Sequence, residues 1–162
     1  MEFKVDIFSK LDKEWALLAA GTPEDHNAMT VSWGGMGTLW GKPVVTVYVR
    51  PNRHTYGYIE DNELFTLSFY GEQYRKALGV MGSKSGRDCN KDALAGLEAI
   101  SAGGSVSYRQ AKVTLVCRKL YHNDLVEENI PEDVMKTFYD PEPIHRMYIA
   151  EVIGMIDGSA EA

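Results

Sequence analysis

Hydrophobic residues recur at alternate positions in four stretches of the chain, which is the pattern of β-strands with one buried face. The four predicted strands cover residues 29–33, 44–49, 64–69 and 113–120. In the second of them, Val45, Val47 and Val49 share one face of the strand. Each strand therefore has one strongly apolar face that must be covered by another layer.

Weaker patterns add two strands and four short helices. Residues 146–156 are apolar on both faces, as in a central strand, and residues 15–20 are a candidate early strand. Helical spacing is found at residues 55–61, 74–81, 93–99 and 132–138. These helices do not alternate regularly with the strands, which disfavours a doubly wound parallel sheet.

The connection between the first two strong strands is rich in glycine. Residues 34–37 and 41–43 supply turn chemistry with no helical periodicity, so we expect strands 29–33 and 44–49 to pair antiparallel. The same glycines do not form a dinucleotide fingerprint, because a second turn stands where a crossover helix would run. Six mainly antiparallel strands are best satisfied by closing the sheet, so the sequence predicts a mainly β fold, a β-barrel with short helical insertions.

Length and charge narrow the class of protein. The 162 residues suit one domain spanning 1–162, and 44% hydrophobic with 25% charged residues is an ordinary globular composition. The sequence has no apolar run of membrane-spanning length and no signal-peptide pattern, so we expect a soluble, cytoplasmic protein with no membrane partner. The net charge of −6 repels a phosphate backbone, so no nucleic acid partner is expected, and an anionic ligand needs locally concentrated cations.

Several kinds of site are not indicated. The histidines have no HxxxH spacing and the two cysteines have no CxxC spacing, so no metal site is expected. Cys117 lies in an apolar run that is typical of a buried inert thiol, and a disulfide with Cys89 is not expected. Residues 82–88 are not a P-loop, because Ser83 precedes Lys84 and no strong strand leads into them.

Two segments offer polar groups to a ligand. In residues 27–33, Thr30 and Ser32 share one strand face, along which a polar ligand could lie. The alternative is that these hydroxyls meet water while Trp33 fills the core. Residues 82–88 place two cations and two hydroxyls in a glycine-flanked loop, where successive N–H groups can form an anion nest.

A third segment, residues 50–55, ends a valine-rich strand and opens a helix. Thr55 can cap this helix, and the free N–H groups at its start favour phosphate. Arg53 can hold two phosphate oxygens at once, and Thr55 can donate a further hydrogen bond. The alternative is an ordinary helix start beside solvated arginines.

Taken in order, three motifs resemble the flavin reductase-like family, including its flavoredoxin type. They are Asn27-Ala28-Met29-Thr30-Val31-Ser32-Trp33, Arg53-His54-Thr55 and Ser85-Gly86-Arg87-Asp88. The resemblance runs from about residue 15 to residue 156, and residues 145–152 look like the family's last barrel strand, with Ala150 where glycine is more usual. It implies the FMN-binding split barrel, usually a homodimer with flavin near the subunit interface.

The resemblance also implies site residues. By this resemblance, the isoalloxazine and ribityl region is contacted by Asn27, Met29, Thr30 and Ser32. The phosphate is surrounded by Arg53, His54, Thr55, Lys84, Ser85 and Arg87. His145 begins the last strand and is a candidate to border the open flavin face and meet nicotinamide or acceptor, the alternative being a structural surface histidine.

The function implied by the resemblance is that of an NAD(P)H-dependent FMN reductase, an oxidoreductase with non-covalent FMN. Hydride passes from nicotinamide to flavin N5, which needs no protein nucleophile because the cofactor supplies the chemistry. A flavoredoxin-like electron carrier, which exchanges electrons between bound FMN and protein partners, is the alternative, and a binding module that has lost flavin is a third. Beyond the residues already assigned, the sequence has no clear basic cluster for the 2′-phosphate of NADPH, so the choice between NADH and NADPH stays open. The electron acceptor and the exchangeability of FMN stay open as well.

Overall fold

The computed structural model describes residues 2–158, which form a seven-stranded sheet and a separate two-stranded sheet. The strands are β1 (Ala16–Gly21), β2 (His26–Val31), β3 (Gly34–Leu39), β4 (Lys42–Val49), β5 (Leu64–Phe69), β6 (Ala99–Ala102), β7 (Ser105–Tyr108), β8 (Val113–Asp124) and β9 (Arg146–Asp157). The helices are α1 (Ile7–Ser9), which continues as a π-turn over Lys10–Glu14, α2 (His54–Asp61), α3 (Arg75–Ser83), α4 (Lys91–Ala95) and α5 (Glu132–Phe138). Single 3₁₀ turns cover Glu72–Tyr74 and Glu127–Asn129.

The seven-stranded sheet closes on itself as an incomplete barrel. Its order is β2-β1-β5-β8-β9-β4-β3, and every neighbouring pair is antiparallel. β2 and β3 lie at opposite edges of this order, yet only Ser32 and Trp33 join them along the chain. The sheet must therefore curl until its two edges lie side by side, which gives a barrel split between β2 and β3. The predicted β-barrel with short helical insertions is confirmed.

The predicted pairing of strands 29–33 and 44–49 is wrong. The glycine-rich connection is itself a strand, β3, and it pairs with β4 through a two-residue turn at Trp40 and Gly41. Both turn residues have positive φ, 52° and 70°, as the tight turns that suit twisted hairpins require. β4 therefore has β3 on one side and β9 on the other, and β2 pairs with β1 instead.

Strand β1 is buried on both faces because it separates two hydrophobic layers. Its alternate residues Ala16, Leu18 and Ala20 enter the barrel core, together with Val45, Val47 and Val49 of β4 as predicted. The residues between them face outward, where Leu17 and Ala19 pack in a second cluster. Other members of that cluster are Leu78, Met81, Val106 and Tyr108. Helix α3 and the β6–β7 hairpin are thereby held against the outside of β1 and β2.

Other differences from the sequence prediction have local causes. The helix predicted over residues 93–99 ends at Gly96, whose φ of +70° closes α4, and Ala99 then starts β6. Cys117 is a free thiol fully buried in the core, and burial raises its pKa to about 12, as expected of an inert thiol. Among the described residues, no helix is both long and apolar enough to cross a membrane.

Candidate functional site

Two adjoining cavities lie where β4 turns into α2 and where α3 ends. The first, of about 360 Å³, is called the loop cavity, and it is lined by Asn27, Asn52, Arg53, His54, Thr55, Gly82, Ser83, Lys84, Ser85, Arg87, Asp88 and Lys91. The second, of about 180 Å³, is called the strand cavity, and it is lined by Met29, Thr30, Val31, Ser32, Trp33, Tyr48, Arg50, Arg53 and His145. Arg53 lines both. The structure thus brings all ten residues implied for the cofactor, and His145, to two neighbouring cavities.

The start of α2 shapes one wall of the loop cavity. The backbone N–H of Arg53 donates to the Arg50 carbonyl at 3.1 Å, and Arg53 is the N-cap of a helix that begins at His54. The prediction that Thr55 caps this helix is wrong, because the helix begins one residue before it. Thr55 is instead buried in the first turn, where its Oγ1 accepts a hydrogen bond from Asn27 Nδ2 at 2.7 Å. This bond ties β2 to α2.

The loop after α3 forms the opposite wall. Arg87 holds it by donating from its backbone N–H to Ser85 Oγ at 3.2 Å and from Nη1 to the Asn52 carbonyl at 3.0 Å. Gly86 permits a close approach to β2 and α2, because a Cβ there would collide with Asn27 Oδ1 and lie 2.9 Å from His54 Cδ2. A larger residue here would force the loop away from the side chains of Asn27 and His54, or displace them.

Lys91 is a functional candidate that the sequence reasoning missed. Its side chain is 4% exposed, and Nζ donates to the Ala28 carbonyl at 2.5 Å and to the Met81 carbonyl at 2.9 Å. Burial, reinforced by the positive charge of Arg53, lowers the pKa of the Lys91 ammonium to about 8. An ammonium has three N–H donors, so one remains for the cavity that Lys91 lines. Nothing in the sequence indicates this burial, because a lysine beside an aspartate is usually solvated.

Charge in the loop cavity is strongly one-sided. Four cationic side chains line it, those of Arg53, Lys84, Arg87 and Lys91, against the single carboxylate of Asp88. The whole chain carries a net charge of −6. A cavity that gathers cations in an acidic protein suits an anionic ligand, and phosphate above all where donors converge from three sides.

A second network fixes α4, and with it Lys91, to the start of β2. Asp92 accepts hydrogen bonds from Tyr108 Oη at 2.7 Å and from His26 Nε2 at 2.5 Å. The hydrogen bond to Asp92 is the main cause of a raised His26 pKa, since it favours the protonated ring. The Lys91 backbone is therefore anchored outside the cavity while its ammonium enters it.

The strand cavity carries fewer charges and more aromatic surface. Thr30 and Ser32 both border it, and Thr30 Oγ1 donates to the Leu78 carbonyl at 2.5 Å. The alternative in which Trp33 fills the core is wrong, because β2 ends at Val31 and leaves Trp33 44% exposed. The Trp33 ring instead lies edge-on to Phe138, with ring centroids 5.3 Å apart.

His145 is buried beside the strand cavity, so the alternative of a surface histidine is wrong. It is 7% exposed, its ring lies 5.4 Å from that of Trp33, and its Nδ1 shares a 2.7 Å hydrogen bond with Tyr139 Oη. The connection that precedes β9 covers it, and Arg50 Nη1 holds this connection through the Pro143 carbonyl at 2.8 Å. Burial and the charge of Arg50 lower the His145 pKa to about 4, so its imidazole is neutral at physiological pH.

Within residues 2–158, no three His, Cys, Asp or Glu side chains come close enough together to hold a metal ion. The polar groups that do converge are guanidinium, ammonium, hydroxyl and amide groups, together with the Asp88 carboxylate and one imidazole in each cavity. Such a set can bind and orient an anionic, partly aromatic ligand. It offers no nucleophile with an adjacent base of its own.

Comparison with known proteins identifies a family and similar folds. The family model of the flavin reductase like domain matches residues 8–159. The chain is similar in structure to an FMN-binding domain of a flavin reductase-like enzyme from Shewanella baltica, with 22% identity, coverage of 94% of this chain and 73% of that chain, and a TM-score of 0.67. It is also similar to a flavoredoxin from Methanosarcina acetivorans, with 17% identity, coverage of 97% and 75%, and a TM-score of 0.71.

A third similar structure is that of an FMN-binding protein from Thermus thermophilus with bound p-hydroxybenzaldehyde. Its identity to this chain is 16%, the alignment covers 90% of this chain and 72% of that chain, and the TM-score is 0.70. None of the curated proteins matches the chain. At these identities, the structural likeness shows the fold.

Proposed function

The chain belongs to the flavin reductase-like family, and from this we propose that it binds FMN non-covalently and acts as an NAD(P)H-dependent FMN reductase. We propose further that residues 1–162 work as a single domain. The observation that carries the proposal is the loop cavity, where four cations face inward beside a less charged strand cavity. The distribution of charge in FMN matches these two cavities, with a dianionic phosphate at one end and an amphipathic ring at the other.

The phosphate end fits the loop cavity. Arg53, Lys84 and Arg87 supply charge, and Lys91 adds an ammonium that is already held in place by two carbonyl groups. Burial lowers the His54 pKa, as do the nearby charges of Arg87 and Lys91, and the ring can donate a hydrogen bond to the phosphate. The hydroxyls of Thr55 and Ser85 complete the set. Donors on three chain segments then surround one anion.

The ring end fits the strand cavity. Asn27, Met29, Thr30 and Ser32 follow one another along β2 and its end, so they can meet a long ligand that runs beside the strand. When bound there, FMN supplies a site at N5 that accepts hydride from a nicotinamide. The protein's own part is to orient the ring and to exclude water. His145, being neutral, adds an aromatic wall and no charge beside an incoming nicotinamide.

A flavoredoxin-like electron carrier is the second candidate function. The observation in its favour is the exposed aromatic pair of Trp33 and Phe138, 44% and 41% exposed, at the rim of the strand cavity. Exposed apolar groups next to a redox site suit contact with a protein partner. The likeness to a flavoredoxin structure supports the same function.

We also propose a homodimer with a cytoplasmic location. Strand β9 is apolar on both faces in the sequence, but the chain alone leaves Ile153 46% and Ile156 42% exposed. A second copy packed on this face would bury both side chains. Light scattering that gives twice the chain mass supports this assembly, and a monomeric mass refutes it.

The test of function is the anaerobic absorbance of FMN-reconstituted, desalted protein. Rapid bleaching of the flavin band by NADH or NADPH identifies a reductase and its donor. Retained FMN that bleaches only with dithionite or a reduced protein identifies the carrier. Protein that loses all FMN on desalting and shows no saturable FMN binding overturns both functions.

A further inference from the structure

A third cavity lies at the other end of α3, away from the loop cavity. Its volume is about 520 Å³, and we call it the basic cavity. It is lined by Lys10, Lys13, Glu14, Tyr70, Gly71, Glu72, Arg75, Leu78 and Lys112. Four of these side chains are cations and two are carboxylates, in a chain whose net charge is −6. Positive charge is therefore in local surplus here, and no part of the proposed FMN site uses it.

Some cations of this cavity are paired with other protein groups, and others are not. Lys10 Nζ neutralises Glu14 at 2.6 Å. The Lys112 ammonium has no acceptor within residues 2–158, although the residue's backbone is fixed by a 2.7 Å hydrogen bond from its N–H to the Phe69 carbonyl. A cation held at its backbone and free at its tip is available to a ligand.

Arg75 is held in a more definite geometry. Its guanidinium lies 3.3 Å from the centroid of the Trp15 ring, and Nη1 donates to the Lys13 carbonyl. Trp15 supports it from a backbone with φ 68° and ψ 163°, a region that favours glycine. The stacking fixes the plane of the guanidinium, and most of its five N–H donors remain for a ligand. A fixed guanidinium fork with spare donors suits a phosphate.

An apolar cavity of about 810 Å³ lies beside the same helical segment, residues 7–14, as the basic cavity. That apolar cavity is lined by Ile7, Phe8, Ser9, Leu11, Asp12, Lys13, Ser32, Trp33, Gly34, Gly35, Met36 and Tyr48. It shares Lys13 with the basic cavity, and it shares Ser32, Trp33 and Tyr48 with the strand cavity. The three cavities are therefore neighbours in this order, with the apolar cavity in the middle and the basic cavity at the far end.

We propose that the basic cavity binds a phosphate monoester, the 2′-phosphate of NADPH, so that the protein prefers NADPH to NADH. This assignment of the electron donor rests on the proposed function. Arg75 and Lys112 hold the phosphate, and the nicotinamide end of the same molecule reaches the strand cavity. Glu72 lines the same cavity, and its carboxylate can accept a hydrogen bond from the 3′-hydroxyl of the adenosine ribose.

The test compares ligands that differ only in the phosphate. Calorimetric titration of the FMN-loaded protein with 2′,5′-ADP and with 5′-ADP is expected to show at least about tenfold tighter binding of 2′,5′-ADP, the effect of one charge-assisted contact. Lys112→Gln should abolish most of that ratio and leave 5′-ADP binding unchanged. Arg75→Lys, which keeps the charge and loses the fork, should also reduce it. The matched control is Lys136→Gln, on an exposed lysine paired with Glu132 of α5, and it should change neither affinity.

Equal affinities for the two nucleotides, or an equal loss in the control variant, overturn the proposal. Inorganic phosphate that binds as tightly as 2′,5′-ADP overturns the assignment to NADPH, since the cavity would then take a free anion. Kinetics separate this proposal from the proposed function. A protein that retains FMN and is reduced with the same KM by NADH and NADPH keeps the proposed function and loses the inference. If neither NADH nor NADPH reduces the protein, the reductase function is wrong. The ratio of the affinities for 2′,5′-ADP and 5′-ADP still tests whether the basic cavity binds a 2′-phosphate.

Discussion

We predict that the buried ammonium of Lys91 makes the affinity for FMN depend on pH. Its pKa of about 8 lies below the ordinary value of 10.5, so the group is charged at pH 7 and becomes neutral as pH rises through about 8. A phosphate monoester has its second pKa near 6, so it stays dianionic across this window. The attraction between the two is therefore fully present at pH 7 and is lost towards pH 9.

The size of the effect follows from one contact. Two of the three Lys91 N–H groups are held by the Ala28 and Met81 carbonyls, so one hydrogen bond to the phosphate is at stake. A hydrogen bond to a charged group contributes about 1.5–3 kcal/mol, which corresponds to roughly a 10- to 100-fold change in Kd. Because Lys91 has a pKa of about 8, about a tenth of it is still charged at pH 9, so we expect the Kd for FMN to weaken by roughly five- to tenfold between pH 7 and pH 9.

The assay is titration of FMN by its fluorescence at closely spaced pH values, with wild type, Lys91→Met and Lys84→Met. Lys91→Met should bind FMN at pH 7 at least as weakly as wild type does at pH 9, and its Kd should not change across the window. Lys84→Met, on an exposed side chain of the same cavity, should weaken FMN binding and keep the pH dependence. Thermal melting identifies any variant that fails to fold. A wild-type Kd that is flat with pH, or an unchanged slope in Lys91→Met, refutes the reasoning.

Three further predictions concern other parts of the site. His145→Ala should leave the Kd for FMN unchanged and slow flavin reduction by NAD(P)H about tenfold or more, because the nicotinamide loses an aromatic surface that positions it. Stopped-flow absorbance measures this rate, and an unchanged rate excludes the role of His145. Gly86→Ala should weaken FMN binding, because its Cβ forces the loop away, whereas Gly79→Ala, whose Cβ has open space in α3, should leave binding unchanged and raise stability by roughly 0.5–1 kcal/mol. Because the His26 pKa is raised in the folded protein, the bond to Asp92 stabilises the fold fully below about pH 6.5 and loses its effect as pH rises through the folded pKa. The melting temperature of wild type should therefore fall more across this pH range than that of His26→Gln. Identical pH profiles of the two proteins would contradict this prediction.

The parts of the fold predicted well were those where burial repeats with strand spacing. Strand β5 has the predicted bounds, and the inward face of β4 is the predicted run of Val45, Val47 and Val49. The prediction of pairing for β2 and β4 was wrong because the glycine-rich segment Gly34–Leu39 has few side chains that could show a strand pattern. The β6–β7 hairpin was missed because its short strands are mixed in polarity.

The candidate site was predicted from local motifs and from the family resemblance that they carry, and its missing members are those that only tertiary structure brings in. Arg53, Thr55 and Arg87 belong to segments with visible turn or helix-start chemistry. Lys91 follows the loop motif, and nothing in its sequence neighbourhood shows that its ammonium is buried between Ala28 and Met81. The basic cavity was missed for the same reason, since its cations come from three distant segments of the chain.

The central claim is that the loop cavity holds the phosphate of FMN, and comparing FMN with riboflavin tests it most directly. Calorimetric titration of the flavin-free protein at pH 7 should give one FMN per chain. Several charge-assisted hydrogen bonds of about 1.5–3 kcal/mol each should make FMN at least about a hundredfold tighter than riboflavin, which differs only in lacking the phosphate. Equal affinity for the two flavins would contradict the account, because the cations of the loop cavity would then have no part in binding.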